Sequence, residues 1–258
     1  MNSVPDLDLA LNVARRAAAA AGQVAMEYFK SEVKVERKAD ASPVTVADRE
    51  AETVIRKIIH ETFPDHAIYG EEYGREGDHA CLWLVDPIDG TRSFIRGLEF
   101  WSVQIALMVE DQLVLGVSVA PPFDETAWAL KDRGAFLDGA PLRVSDVTEF
   151  GHMDLSLGNV RSLAAGPGWA RLADLVGLAA RTRGYGDFYP YHRLAAGRLD
   201  AVIESDVNIL DIAALAVILR EAGGIITDLA GEPLALETTS VLAANPALHA
   251  HLLSFMND

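Results

Sequence analysis

Cysteine is nearly absent: Cys81 is the only one in 258 residues. An intramolecular disulfide is excluded, and a reducing compartment is expected. Cys81 opens an apolar stretch, where a thiol reads as a small packing residue rather than a nucleophile. The chain also has no His-Glu-x-x-His, paired cysteines, Gly-x-Ser-x-Gly or P-loop lysine motif, and its 7 histidines are scattered without zinc spacing. No apolar run approaches a membrane span. The N-terminus, with Asp6 and Asp8, lacks the basic start, apolar core and cleavage site of a leader, so a cytoplasmic location is expected. Basic residues are scarce as well, 22 Lys and Arg against 38 Asp and Glu, for a net charge of −16. With no basic block anywhere, nucleic acid and anionic membranes are poor partners, and an anionic substrate would need a metal to overcome the protein's own field.

Apolar residues make up 50% of the chain and charged residues 23%, enough to bury a large core in one α/β domain or two intimate halves. Leu7 to about Phe29 and Thr45 to about Phe63 carry apolar residues at helical spacing. Val33 to Glu36 reads as a short strand, Lys38 to Pro43 as a polar loop, and Ala67 to Tyr69 as a strand ending in Gly70-Glu71-Glu72. Val103 to Val109, Leu113 to Ala120, Thr126 to Lys131 and Ala135 to Leu137 are apolar and β-branched runs separated by turn residues, which predicts an antiparallel sheet in the first half. Around Glu149 to Gly151 the rhythm changes. Strands at Asp154–Leu157, Arg181–Arg183, Ala201–Glu204, Ile225–Asp228 and Ser240–Ala243 are expected among helices near Trp169–Val176, Tyr189–Ala196, Ile212–Ala222 and Asn245–Phe255, a smaller α/β layer. The expected division is 1–150, carrying most candidate ligands, and 151–258, carrying Asp211.

Within the first part stands Trp83-Leu84-Val85-Asp86-Pro87-Ile88-Asp89-Gly90-Thr91. A buried strand empties into two carboxylates three residues apart and then into a Gly-Thr pair where a helix can begin. Asp86 and Asp89 offer hard oxygen ligands for Mg²⁺, the Ile88 carbonyl can join them, and the N–H groups after Gly90 can face an anion. Asp-Pro and Asp-Gly are also ordinary turn pairs, so the motif alone equally fits a strand-end turn. The case rests on other acids. Glu71 ends a strand that, placed beside Trp83–Val85, brings it next to Asp86. Asp211 lies near the start of an apolar helix, where N-capping is its ordinary role, and Ala213 and Ala214 let that helix approach closely. Asp48 lies in the first turn of its helix, where a cap is equally expected. Together Glu71, Asp86, Asp89 and Asp211, with Thr91 beside them, would form an oxygen-rich cluster able to hold two or three hard divalent ions. Without cations, carboxylates at that density would have raised pKa values.

Gly70-Glu71-Glu72, Asp86-Pro87-Ile88-Asp89-Gly90-Thr91, Leu210-Asp211-Ile212-Ala213-Ala214 and Glu221-Ala222-Gly223-Gly224, in this order, resemble the inositol monophosphatase superfamily of metal-dependent phosphatases from about Leu7 to the C-terminus. Leu210 departs from the tryptophan usual there, which puts local packing in question more than the carboxylate. The resemblance implies a layered α/β/α/β/α fold, Mg²⁺ as cofactor and a homodimer. It implies that Glu71, Asp86, the Ile88 carbonyl, Asp89 and Asp211 hold metal, that Thr91 and Asp48 with Glu71 activate the attacking water, and that Gly90 and Thr91 offer N–H groups to phosphate.

The stretches Lys38–Arg49 and Arg183–Phe188 resemble the histidinol-phosphate phosphatase branch, with Asp187 meeting a cationic group of a small phosphorylated metabolite and Glu204 reaching its hydroxyls or amines. Asp187 capping the helix near Tyr189 is the alternative role. Lys38–Thr45 also resembles enzymes acting on 3′-phosphoadenosine 5′-phosphate, and an inositol 1-phosphatase or a 3′-phosphoadenosine 5′-phosphate phosphatase is the alternative of the same fold. A catalytically silent metal-binding regulator of the same fold is the alternative of another class.

Overall fold

A computed structural model describes residues 5–30, 35–37 and 43–257. The chain begins with α1 (Leu7–Tyr28), β1 (Val35–Arg37), β2 (Pro43–Thr45) and α2 (Val46–Thr62). Then come β3 (Ala67–Gly70), β4 (Gly74–Glu76), β5 (Cys81–Asp89), the short α3 (Thr91–Ile95), β6 (Ser102–Val109) and β7 (Gln112–Ala120). The first half closes with β8 (Glu125–Leu130), β9 (Ala135–Leu137) and β10 (Ala140–Pro141). The second half holds β11 (Asp154–Leu157), α4 (Val160–Ala165), α5 (Trp169–Leu178), β12 (Arg181–Arg183), α6 (Tyr189–Ala195) and β13 (Ala201–Ser205). It ends with α7 (Ile209–Glu221), β14 (Ile225–Thr227), β15 (Ser240–Ala244) and α8 (Pro246–Asn257). The expected loop at Lys38–Ser42 and the first two residues of the strand expected at Val33–Glu36 lie outside the described residues.

Two large sheets organise the molecule. The first has strand order β10-β9-β8-β7-β6-β5-β3-β4, antiparallel except where β3 runs parallel to β5. The second, β12-β11-β13-β15-β14, is parallel among β12, β11 and β13 and antiparallel beyond. Period-two alternation decides which layer each side chain joins. Val103, Ile105 and Leu107 of β6 pack toward α1 and α2, while Ala106 and Met108 face the opposite layer. On β13 and β15, Val202, Val241 and Ala243 face the same middle layer, and Ala201, Ile203, Leu242 and Ala244 join Leu172, Leu248 and Leu252 of α5 and α8 in an outer core. The layers are therefore α1/α2, first sheet, α6/α7, second sheet, and α5/α8.

The middle layer explains the composition of α7. Pressed between two sheets, it is buried from Ile212 through Leu219 with no polar face, the signature of a helix inside a protein. Its approach to the first sheet is close. A Cβ on Gly116 of β7 would overlap the Ala214 carbonyl of α7. Leu210, in the place of the usual tryptophan, is buried in this same layer.

Three local expectations change. The Asp86–Asp89 segment is not a turn: β5 continues through it, fully buried, with a register shift against β6 between Asp86 and Asp89. Such a bulge bends the strand end and re-aims its side chains. Gly74–Glu76, for which no strand is expected from the sequence, pairs with β3. The short α4 has no helical periodicity to betray it, and starts after Asn159 in the left-handed region at φ 48°.

Candidate active site

The parallel pairing of β3 and β5 sets the first acids side by side. Gly70 pairs with Val85, and the Glu71 N–H donates to the Val85 carbonyl at 3.2 Å, so Glu71 leaves its strand beside Asp86. The bulge then brings Asp89 to the same end, and α7 enters with Asp211. Asp86, Asp89 and Asp211 each place a carboxylate oxygen within 4.8 Å of the other two.

Each carboxylate is held. Asp86 Oδ1 accepts the Ile88 N–H at 2.9 Å. Asp89 Oδ2 accepts from Ser102 Oγ at 3.3 Å and Gln104 Nε2 at 3.5 Å. Asp211 does cap, as the third residue of a capping box, accepting the Asn208 N–H at 3.0 Å on Oδ2. Asp48 plays the same part in α2, taking the Thr45 N–H at 2.8 Å and Thr45 Oγ1 at 2.6 Å on Oδ2. Its other oxygen faces Thr91, whose hydroxyl donates to Asp48 Oδ1 at 3.3 Å or to the Ile88 carbonyl at 3.1 Å. Capping and site roles coexist because a carboxylate has two oxygens.

Burial is the main force on these groups, with like charge behind it. It raises Asp86 well above the usual carboxylate range, helped by Glu71, Asp211 and Asp89. Asp89 is raised likewise by burial and then by Asp187, Asp211 and Glu204. Asp211 is pushed up to about 7 by burial, partly offset by its Asn208 N–H, with Glu71 and Asp187 adding to the rise. Asp48 is raised by burial more than its Thr45 hydrogen bonds lower it. A set of buried, hydrogen-bonded carboxylates that resist joint ionisation is the donor set a hard divalent cation fits, because the cation removes the repulsion that raises them.

A small cavity of about 40 Å³ adjoins the cluster, lined by Asp89, Asp211, Asp187, Glu204, Tyr191 and Asn159 among others. Glu204 is buried under the Tyr191 hydroxyl, which donates to Oε2 at 2.9 Å, and burial pushes Glu204 up to about 8. Asp187 does not cap α6, whose N-cap is Phe188 without a side-chain cap bond. It turns instead toward Gly90 and accepts from Ser93 Oγ at 3.4 Å; burial raises it to about 6. Gly90, at φ 88°, is the one residue that fits here, since a Cβ would lie 2.6 Å from the Phe100 carbonyl and 3.1 Å from Asp187 Cγ. The structure thus gathers Asp48, Glu71, Asp86, Ile88, Asp89, Gly90, Thr91, Asp187, Glu204 and Asp211 at one end of the two sheets.

Four supporting residues had escaped notice: Ser102, Gln104, Tyr191 and Asn208. Ser102 and Gln104 did leave a trace, two polar residues on the same face at the start of an otherwise apolar strand. Tyr191 left none.

His66, His79 and Cys81 form a second group of potential ligands at the other end of β5. His66 Nδ1 accepts from Trp83 Nε1 at 3.1 Å and His79 Nδ1 from the Cys81 N–H at 3.0 Å. Those bonds put the proton of each neutral ring on Nε2, so neither nitrogen is free to ligate.

A layered α/β/α/β/α protein with converging carboxylates at the ends of its sheets is thus the class this fold and site define. The profile of the inositol monophosphatase family matches residues 6–257, and the chain belongs to that family. It is 35% identical to "Histidinol-phosphatase" of Streptomyces coelicolor over 99% of this chain and 99% of that protein. It is 32% identical to "Fructose-1,6-bisphosphatase/inositol-1-monophosphatase" of Aquifex aeolicus, over 94% of this chain and 93% of that one. The crystal structure of the extragenic suppressor protein suhB from Bartonella henselae superposes with a TM-score of 0.90 at 29% identity, covering 97% of this chain and 99% of that one. Among the described residues, no helix is long and apolar enough to cross a membrane.

Proposed function

We propose that the protein is a Mg²⁺-dependent phosphomonoesterase whose substrate is histidinol phosphate. The observation that carries the reaction is the convergence of Asp86, Asp89 and Asp211 within 4.8 Å, beside the Thr91–Asp48 hydrogen bond. Glu71, Asp86, the Ile88 carbonyl, Asp89 and Asp211 would hold two or three ions. Bound Mg²⁺ would neutralise phosphate and leaving-group charge and acidify the attacking water. Donating its own proton to Asp48, the Thr91 hydroxyl is left with lone pairs to accept a hydrogen from that water, and Glu71 holds the water's other side. Gly90 and Thr91 present N–H groups to the phosphate at the start of α3.

Substrate choice is supported by Asp187 and Glu204, two buried acids on the rim of the same cavity. A leaving group bearing an amine and an imidazole would supply the positive charge they lack, whereas an inositol would offer only hydroxyls. The full-length likeness to a protein named histidinol-phosphatase supports the same choice. The likeness to a named inositol-1-monophosphatase favours the second reading, an inositol phosphatase. We also propose a homodimer, as the resemblance implied. The test is turnover of histidinol phosphate, inositol 1-phosphate and 3′-phosphoadenosine 5′-phosphate, each with and without Mg²⁺. The first should lead in kcat/KM; equal rates would overturn the substrate assignment. Asp89→Asn should lower Mg²⁺-dependent hydrolysis by at least about 10- to 100-fold, since losing a ligand costs no less than losing its supporting partner. A wild-type protein with no activity on any of the three would favour the silent regulator.

A further inference from the structure

We propose that Glu52 and Arg56 are positioning residues that hold Glu71 at the metal site. Neither touches the cavity. The inference rests on the reading of Glu71 as a metal ligand.

Glu71 opens the turn between β3 and β4, and the backbone of that turn is bound to α2. Glu52 is fully buried, one helical turn beyond Asp48. Its Oε2 accepts the Glu72 N–H at 2.7 Å, and its Oε1 accepts Arg56 Nε at 2.7 Å and the Tyr73 N–H at 3.4 Å. Arg56 completes the grip, with Nη2 donating to the Gly74 carbonyl at 2.6 Å and Nη1 to Glu76 Oε2 at 2.9 Å. Its guanidinium lies 5.8 Å from the centre of the Tyr73 ring, and the Tyr73 hydroxyl bonds back to α2 through Thr53 Oγ1 at 3.2 Å. The chain makes room for this carboxylate at one place: a Cβ on Gly70 would overlap Glu52 Oε1 and Oε2.

A buried ion pair of this kind is weak evidence for stability by itself, since two charges must be desolvated to form it. Its placement points elsewhere. Two consecutive backbone amides of the turn, those of Glu72 and Tyr73, are tied to one rigid helix, and that helix also carries Asp48. Through Glu52, α2 sets the position of Glu71; through its own first turn it sets Asp48. Partners of this type commonly change metal affinity 10- to 100-fold when removed.

The test measures Mn²⁺ binding to the full chain by electron paramagnetic resonance, without substrate, together with amide exchange at Glu72 and Tyr73. Glu52→Gln keeps the shape but offers a single acceptor oxygen where two are used. It should weaken Mn²⁺ binding at least about tenfold and speed exchange at both amides. Arg56→Lys keeps the charge but loses the fork, and should weaken binding less, in the same direction. Leu252→Ala, in the outer core, serves as a variant with lowered melting temperature and unchanged affinity. The inference is overturned if Glu52→Gln binds Mn²⁺ like wild type, or if Leu252→Ala loses as much affinity. Should Glu52→Gln fail to fold, Arg56→Lys decides on the same criterion. A wild-type protein that binds no Mn²⁺ would remove the metal reading itself, and this inference with it, before any variant is compared.

Discussion

Asp48 illustrates how one carboxylate serves two scales of structure. Oδ2 closes the capping box with Thr45, and Oδ1 takes the Thr91 hydroxyl. Substitutions can separate the two roles. Asp48→Asn retains an oxygen for the cap but no longer takes up a proton, so turnover should fall about 10²- to 10⁴-fold, the usual worth of general acid–base help, while the melting temperature changes little. Thr91→Ser keeps the hydroxyl and should keep activity within about tenfold, whereas Thr91→Val should fall with Asp48→Asn. Steady-state rates at saturating Mg²⁺, paired with thermal melts, distinguish these outcomes. A Thr91→Val enzyme as active as wild type would remove Thr91 from the mechanism.

At the scale of elements, Asp211 reaches the cluster only because α7 lies tight against β7. Gly116 is the point of closest approach, with the Ala214 carbonyl where its Cβ would be. Gly116→Ala forces the helix and sheet apart. Overpacking of this kind costs about 1–3 kcal/mol, and for a chain of this size the melting temperature should fall by about 2–12 °C. Because the displaced helix carries Asp211, the Mg²⁺ concentration for half-maximal activity should rise as well. A melt that lowers without a change in Mg²⁺ requirement would separate helix seating from ligand placement. The elements themselves were largely readable. The near-continuous apolar runs of β6 and β7, the helical spacing in α1 and α2 and the unbroken apolar run of α7 are consequences of burial on both faces, on one side and on all sides respectively. Their contacts were not, because a run that is apolar on both faces does not say which layer either face meets. Asp187 shows the limit: a residue before a helix reads as a cap, and only the fold brings it across from Gly90, 97 positions earlier. The bulge in β5 was hidden for a related reason, since Asp-Pro and Asp-Gly signal a turn whenever no neighbouring strand continues the pairing.

For the whole molecule, the acid cluster should make metal-free stability depend on pH with an unusual sign. Asp187, Asp211 and Glu204 are raised to about 6, about 7 and about 8, and Asp86 and Asp89 are also raised well above the usual carboxylate range. A carboxyl raised on folding binds more protons in the native state than in the unfolded one between its two pKa values, so stability falls as pH rises across that interval. With unfolded values near 4, the interval runs from there to about 8. Reduced repulsion in a chain of net charge −16 acts in the same direction on acidification. Against it stand His192, His66 and His249, which burial holds below the usual histidine range and which oppose protonation as the pH falls through their unfolded value of about 6.5. The clean window is therefore about pH 7 to 8, where the metal-free protein should melt at a higher temperature at pH 7 than at pH 8. Divalent ions bind the deprotonated acids, so the stabilisation by Mg²⁺ should be larger at pH 8 and should flatten the profile. Asp211→Asn removes one of the raised groups and should shallow the slope of the metal-free protein. Melts in chelator and in saturating Mg²⁺ at three pH values provide the measurement. A metal-free protein that gains stability steadily from pH 7 to 8 would mean that these carboxylates do not resist ionisation together, and the case for a cation-holding cluster would lose its electrostatic basis.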